Sequence, residues 1–240
     1  MNDNIKNKYS ALLLFSGGQD SSTCLAWALN KFDSVKTIGF DYGQRNKIEL
    51  KCRINILKKI IKLIPEWQES LGEDFILPLT TIGEISNSSL TKNIEMKIKN
   101  NGLPNTFVPG RNIIFLVFAA ALAYRLGIKN IIAGMCETDY SGYPDCRDNT
   151  IKAVETALNL GMENNFILHT PLMWLKKYQT WQMIQDIGGK KLVDLIIEES
   201  HTCYLGIRDK RHEWGYGCDS CQACNLRKKG WIKYNKGIKL

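Results

Sequence analysis

Two groups of residues in this 240-residue chain have types and spacings that could do chemistry. The first is Ser16-Gly17-Gly18-Gln19-Asp20-Ser21-Ser22, which follows an apolar run at 11–15 and opens a helix-like stretch at 21–30. Glycines at such a turn let the backbone bend tightly and set its N–H groups against phosphate oxygens. The hydroxyls of Ser21 and Ser22 fall at the positive end of the helix dipole. The turn therefore predicts a bound anion. It lacks the Lys of a Walker A loop and the G-x-G-x-x-G spacing of a dinucleotide fingerprint. The plainer reading is a turn that only caps a helix.

The second group is Cys203, followed after fourteen residues by Cys218-x₂-Cys221-x₂-Cys224. Four thiolates fit tetrahedral Zn²⁺ and leave no open position for water, so the expectation is one structural zinc per chain. The same spacing could also hold an iron–sulfur cluster. His201 and His212 flank the set, and four cysteines suffice without them. The remaining thiols, Cys24, Cys52, Cys136 and Cys146, are scattered.

Strands at 11–15, 35–42, 75–79, 130–134 and 166–169 alternate with helices at 21–30, 48–64, 113–126, 149–160 and 178–187. This alternation predicts a doubly wound α/β fold, a five-stranded parallel sheet covered on both faces. Helix 113–126 is apolar on nearly every side and reads as fully buried. Residues 80–109 have little periodicity and many Ser, Asn and Gly residues; a loop of that length suggests a mobile lid over a site. The tail 227–240 is basic and reads as weakly structured. The division expected is a nucleotide-binding α/β domain at 1–190 and a small zinc-binding segment at 191–240.

Hydrophobic residues make up 44% of the chain, enough for a sizeable core. Lys and Arg number 32 against 24 Asp and Glu, a net charge of +8 that suits anionic ligands without choosing among nucleotides, phosphates and RNA. No apolar run approaches the roughly 20 residues of a membrane span, and residues 1–10 are polar. The expectation is a cytoplasmic protein with reduced thiols and no membrane partner.

Further motifs join the first two: FDYGQR at 40–45, TFVPGRN at 106–112, DYSGYPDCR at 139–147 and TPLM at 170–173. In this order, with the C-terminal cysteines, they closely resemble the 7-cyano-7-deazaguanine synthase family of the N-type ATP pyrophosphatases. The resemblance runs from residue 11 to about 229. It implies an adenine nucleotide alpha hydrolase-like, Rossmann-like fold. It also implies an ATP-dependent ligase of queuosine biosynthesis, converting 7-carboxy-7-deazaguanine and ammonia to the nitrile with two ATP.

On the same resemblance, the ATP site spans Phe15, Ser16, Gly17, Gly18, Gln19, Asp20, Ser21, Ser22, Thr23, Cys24 and Leu25. Asp20 would also help hold Mg²⁺, and a homodimer is typical. Arg111 is a candidate for phosphate or carboxylate, because its planar fork matches both. A deazaguanine presents a ring N–H beside an exocyclic amine, which one carboxylate can accept as a pair. Asp139 and Asp145 are the candidates for it, and Tyr143 could stack on the ring. Asp41 and Arg45 are weaker candidates for the nucleotide site. Departures from the family pattern are Asp219 in place of Gly, a long gap between Cys203 and Cys218, and Gln179 in place of an acid.

A tRNA-thiolating enzyme is the main rival, with Cys136 and Cys146 as spare thiols, but nothing beside them signals an activated thiolate. A zinc-ribbon nucleic-acid binder would use Arg227, Lys228, Lys229, Trp231 and Lys233, leaving the glycine turn without a purpose. No stable nucleic-acid partner is expected.

Overall fold

The computed structural model describes residues 9–98, 100, 102–138 and 143–237. Strand β1 (Ser10–Leu14) is buried along its whole length, as a central strand of a parallel sheet must be. It is followed by α1 (Gln19–Leu29), β2 (Ser34–Asp41), α2 (Ile48–Leu63), β3 (Leu71–Pro78), the single turn α3 (Thr81–Ile85) and α4 (Arg111–Leu126). Then come β4 (Asn130–Ile132), α5 (Asp148–Gly161), β5 (Ile167–His169) and α6 (Lys177–Glu199). A two-residue hairpin, β6 (Arg211–His212) and β7 (Gly215–Tyr216), and α7 (Gln222–Asn235) complete the chain.

The five main strands lie in the order β3-β2-β1-β4-β5, every pairing parallel, as the alternation of strands and helices predicts. Alternate side chains of β1 feed two cores. Leu12 and Leu14 join Ile38, Phe40 and the buried faces of α4 and α5; Ala11, Leu13 and Phe15 join α1, α2 and α6. The chain moves outward from β1 to β3 and then returns to the other side of β1 as β4. The β1–β4 boundary is thus the switch point at which open α/β sheets form a crevice beyond the strand ends.

Three elements differ from the sequence expectation. Helix α4 is not buried all round: Val117, Phe118 and Tyr124 are 41%, 41% and 58% exposed. Helix α6 runs well past residue 187, through a break at Gly189 (φ 65°, ψ −168°). The tail is a 14-residue helix rather than a loose segment. There Arg227 is fully buried, donating to the carbonyls of Trp214 (2.7 Å) and Ile196 (3.1 Å) and to the Thr202 hydroxyl (2.9 Å). Trp231 meets Trp181 edge-on at 5.0 Å. Among the described residues no helix is long and apolar enough to cross a membrane.

Candidate active site

A cavity of about 300 Å³ opens at the carboxyl ends of β1, β2 and β4. The glycine turn forms its floor. Ser21 Oγ accepts from the N–H groups of Ser16 (3.3 Å) and Gly17 (3.2 Å) and donates to Gly18 O (3.2 Å), so one hydroxyl fixes the loop. Gly17 has φ 89°, and a Cβ there would lie 2.8 Å from the backbone nitrogen of Arg53 and 2.8 Å from the carbonyl of Glu49. Only glycine lets the loop lie against the first turns of α2. Phe15, Ser16, Gly18, Gln19, Asp20 and Ser21 line the cavity. The Ser22 hydroxyl is spent on Gly18 O and that of Thr23 on Gln19 O, while Cys24 and Leu25 are fully buried in the core behind.

Asp20 is engaged by Lys177, from the first turn of α6, whose Nζ donates to both carboxylate oxygens at 2.9 and 2.8 Å. The two residues are 157 apart in sequence, so nothing in the local pattern points to the pair. Gln179, the non-acidic departure, has a local role: its Oε1 accepts the N–H of Lys176 (2.8 Å) at the start of α6. A carboxylate could make the same bond.

Arg111 begins α4 and reaches the cavity wall among three rings, 5.7 Å from the centroid of Tyr42, 6.0 Å from Phe115 and 5.9 Å from Tyr143. It donates to Tyr42 OH at 3.3 Å, and its buried Nε has no partner. Burial works against its charge, yet facing Tyr42, Tyr143 and Asp145 hold it above the ordinary arginine range. Tyr143 is buried, not an exposed loop residue; its hydroxyl bonds Thr106 Oγ1 at 2.6 Å, and its ring also lines the cavity.

Asp145 is elsewhere: its Oδ2 accepts the Asn112 N–H (3.0 Å), neutralising the amino end of α4, and the residue does not line the cavity. Asp139 lies outside the described residues. Asp41 accepts the Gly43 N–H (3.2 Å), and Arg45 donates to the carbonyls of Ser89 and Ile94, so neither reaches the cavity. Arg45 thereby ties down the 80–109 segment, whose Leu90 forms part of the wall and whose Ser88 donates to Thr106 O.

Sequence reasoning missed three wall residues, Lys177, Glu49 and His201, while Gln19, expected in the ATP site, does line the cavity. Both ring nitrogens of His201 and both amide atoms of Gln19 are buried without partners. The His201 backbone N–H donates to Gly17 O (3.1 Å), and burial lowers its imidazole to about 4. Glu49 is pushed up to about 8 by burial, against the opposing pull of Arg111.

The four predicted cysteines come together with all sulfurs within 4.8 Å of one another, and neither flanking histidine joins them. A Zn–S length of about 2.3 Å puts sulfurs ~3.8 Å apart; Cys218 and Cys224 are at 3.9 Å. The N–H groups of Ser220 (3.4 Å) and Cys221 (3.2 Å) point at Cys218 Sγ, as they would at a metal-bound thiolate. Asp219, in place of the family's Gly, takes φ 58° in this turn and accepts from Lys228. The sulfurs cannot all be charged without a cation. Hydrogen bonds from Cys221 and Cys224 hold Cys203 far below the thiol range, while the bond to Cys203 pushes Cys221 up to about 12. The donor set fits a metal ion.

A glycine loop at the switch point of a five-stranded parallel sheet defines a doubly wound α/β protein with a crevice suited to an anionic ligand. The fold is similar to that of a 4-thiouridine synthetase solved as an RNA complex with bound ATP, at a TM-score of 0.52 and 16% identity, over 94% of this chain and 53% of that one. The family described as queuosine biosynthesis protein QueC matches residues 10–235, and the chain belongs to that family. It is 63% identical over 225 residues, 94% of each chain, to the 7-cyano-7-deazaguanine synthase of Nitrobacter hamburgensis. To that of Rhodopseudomonas palustris strain TIE-1 it is 60% identical over 238 residues, 99% of this chain and all of the relative.

Proposed function

We propose that the chain converts 7-carboxy-7-deazaguanine and ammonia into 7-cyano-7-deazaguanine, using two ATP. The observation that carries this reading is the glycine loop opening into a cavity that also holds Arg111, in a chain that matches relatives of that name over 94% or more of their length. The substrate carboxylate attacks the α-phosphorus of ATP and pyrophosphate leaves. Ammonia then displaces AMP and loses a proton, giving the amide. The amide oxygen attacks the α-phosphorus of a second ATP and expels a second pyrophosphate, and AMP then leaves as the C–N triple bond forms and the nitrogen loses its remaining protons.

None of these steps needs a covalent enzyme nucleophile; each needs charge stabilised at phosphorus and bound reactants held in line. The N–H groups at the start of α1 and Lys177 would receive phosphate oxygens, and Arg111 a phosphate or the substrate carboxylate. Asp20 would hold Mg²⁺ with the phosphates once Lys177 moves off it; that ion supplies charge neutralisation at the leaving pyrophosphate. The cysteine set would hold one Zn²⁺ in a structural role. The uncovered apolar face of α4 supports a homodimer, and sedimentation of Phe118→Asp, expected to be monomeric, tests it.

Purified protein incubated with Mg-ATP, ammonium and 7-carboxy-7-deazaguanine should yield the nitrile with two AMP per turnover. Substrate-independent AMP, or none, would overturn the reading. The thiolating alternative is disfavoured by its thiols, which are already engaged: Cys136 donates to Leu175 O and Cys146 accepts from Asn112. The zinc-ribbon alternative loses Arg227, which is internal.

A further inference from the structure

Of the carboxylates, only Asp20 and Glu49 line the cavity among the described residues, and Lys177 already occupies Asp20. Among the described residues Glu49 forms no ion pair. Arg111 faces it across the same cavity and attracts it, but the two do not come within salt-bridge distance. An acid and a guanidinium that share a pocket without joining leave space between them for a ligand carrying donors and a negative charge of its own.

We propose that Glu49 is the recognition residue for the amino-imino edge of the base, its carboxylate accepting both the ring N–H and the exocyclic amine. This rests on the deazaguanine reading above and replaces Asp145, whose Oδ2 is committed to the amino end of α4. Glu49 is held for the task. Its backbone N–H donates to Asn46 O (3.0 Å), its carbonyl abuts Gly17, and the Asn46 side chain supports its carboxylate. Four residues on, Arg53 is fully buried and pairs with Asp74 of β3, pinning this end of α2 to the sheet.

The neighbours suit a flat bicycle. Tyr42 and Phe115 line the same cavity, and Phe40 stacks on Phe115 at 4.3 Å and 9°, fixing that ring. The groups that act on Glu49 are Arg111 from α4, Asn46 before α2 and Cys203 from the C-terminal segment. None supplies the pair of parallel N–H donors that a carboxylate accepts best. The base edge supplies both, so its arrival favours the ionised form of an acid that burial keeps protonated in the free protein.

The test compares 7-carboxy-7-deazaguanine with its analogue lacking the exocyclic amine, in wild type, Glu49→Gln and Glu49→Ala. A site built to bond a substrate group rejects the analogue lacking it strongly, so wild type should prefer the natural base by at least about 100-fold in kcat/KM. Both variants should lose most of that preference while the KM for ATP stays within about threefold. Full amine preference retained in a folded variant overturns the proposal. Should Glu49→Ala fail to fold, the near-isosteric Glu49→Gln gives the answer, with equilibrium binding of the two bases as its readout. Absence of any product in wild type would instead sink the deazaguanine reading itself, and this inference with it.

Discussion

A methyl group on Gly17 would collide with main chain on two sides, at Arg53 N and Glu49 O, in a backbone conformation that alanine rarely adopts. Neither obstacle is the movable end of a side chain. Gly17→Ala should therefore cost about 2–4 kcal/mol, lowering the melting temperature by roughly 10 °C, and should weaken ATP binding with it. Calorimetry with and without Mg-ATP checks this; an unchanged melt would mean the loop has slack that the contacts deny. At Asp20 the expectation is opposite in kind. Asp20→Ala removes a half-exposed carboxylate from an ion pair, so the fold and the metal content should survive while AMP formation falls below about 1% of wild type. Undiminished AMP release would remove Asp20 from the phosphate site. The glycine turn and the cysteines were legible in sequence because their chemistry is local, set by spacings of a few residues. Lys177, Glu49 and His201 were not, because each gains meaning only from a partner brought near by the sheet.

At the scale of elements, α6 and α7 meet where Gly230 faces Lys177. A Cβ on Gly230 would stand 2.5 Å from Lys177 Cγ and 3.0 Å from its carbonyl carbon, so α7 can approach the first turn of α6 only without a side chain. Gly230→Val should lower thermal stability and, by moving Lys177 off Asp20, reduce ATP turnover by about tenfold or more. Gly161→Ala, with open space around its Cβ, should do neither. Such contacts explain why the tail read as loose. Its packing face is Arg227, Gly230, Trp231 and Tyr234, a pattern whose buried members are a cation and a glycine rather than aliphatic residues. The opposite error at α4 has the same origin, since an apolar surface does not itself say whether the chain or a second molecule covers it.

Glu49 gives the first turn of α2 a pH dependence with a defined sign. Its folded value, about 8, lies above its ordinary value of 4.5, so the folded state holds a proton that the unfolded state releases first. The stability tied to that proton is fully present below pH 4.5 and is lost as pH rises through 8. Glu49→Gln, permanently neutral, should melt at nearly the wild-type temperature at pH 4.5 and several degrees higher at pH 8.5. Equal offsets at both pH values would mean the acid is ionised in the free protein.

For the whole molecule, the cysteine cluster does more than close the C-terminus. The segment it anchors returns over the glycine loop. His201 donates its backbone N–H to Gly17 O, and Thr202, Tyr204, Ala223 and Leu226 form part of the cavity wall. Trp231 touches both the cysteine core and the core under the sheet, so the two share packing. A structural zinc bound there would contribute on the order of 10 kcal/mol to folding, comparable with the entire stability of a domain, and that energy would hold one side of the active site in place. Elemental analysis should find one zinc per chain in wild type and none in Cys221→Ser. Its melting temperature should fall by more than 10 °C, and ATP affinity should weaken at least tenfold even at temperatures where the α/β sheet remains folded by circular dichroism. Loss of stability with unaltered ATP affinity would separate the cluster from the site. A metal-free variant that melts and turns over like wild type would show that four buried sulfurs hold this segment without any ion, against the repulsion that their charges impose.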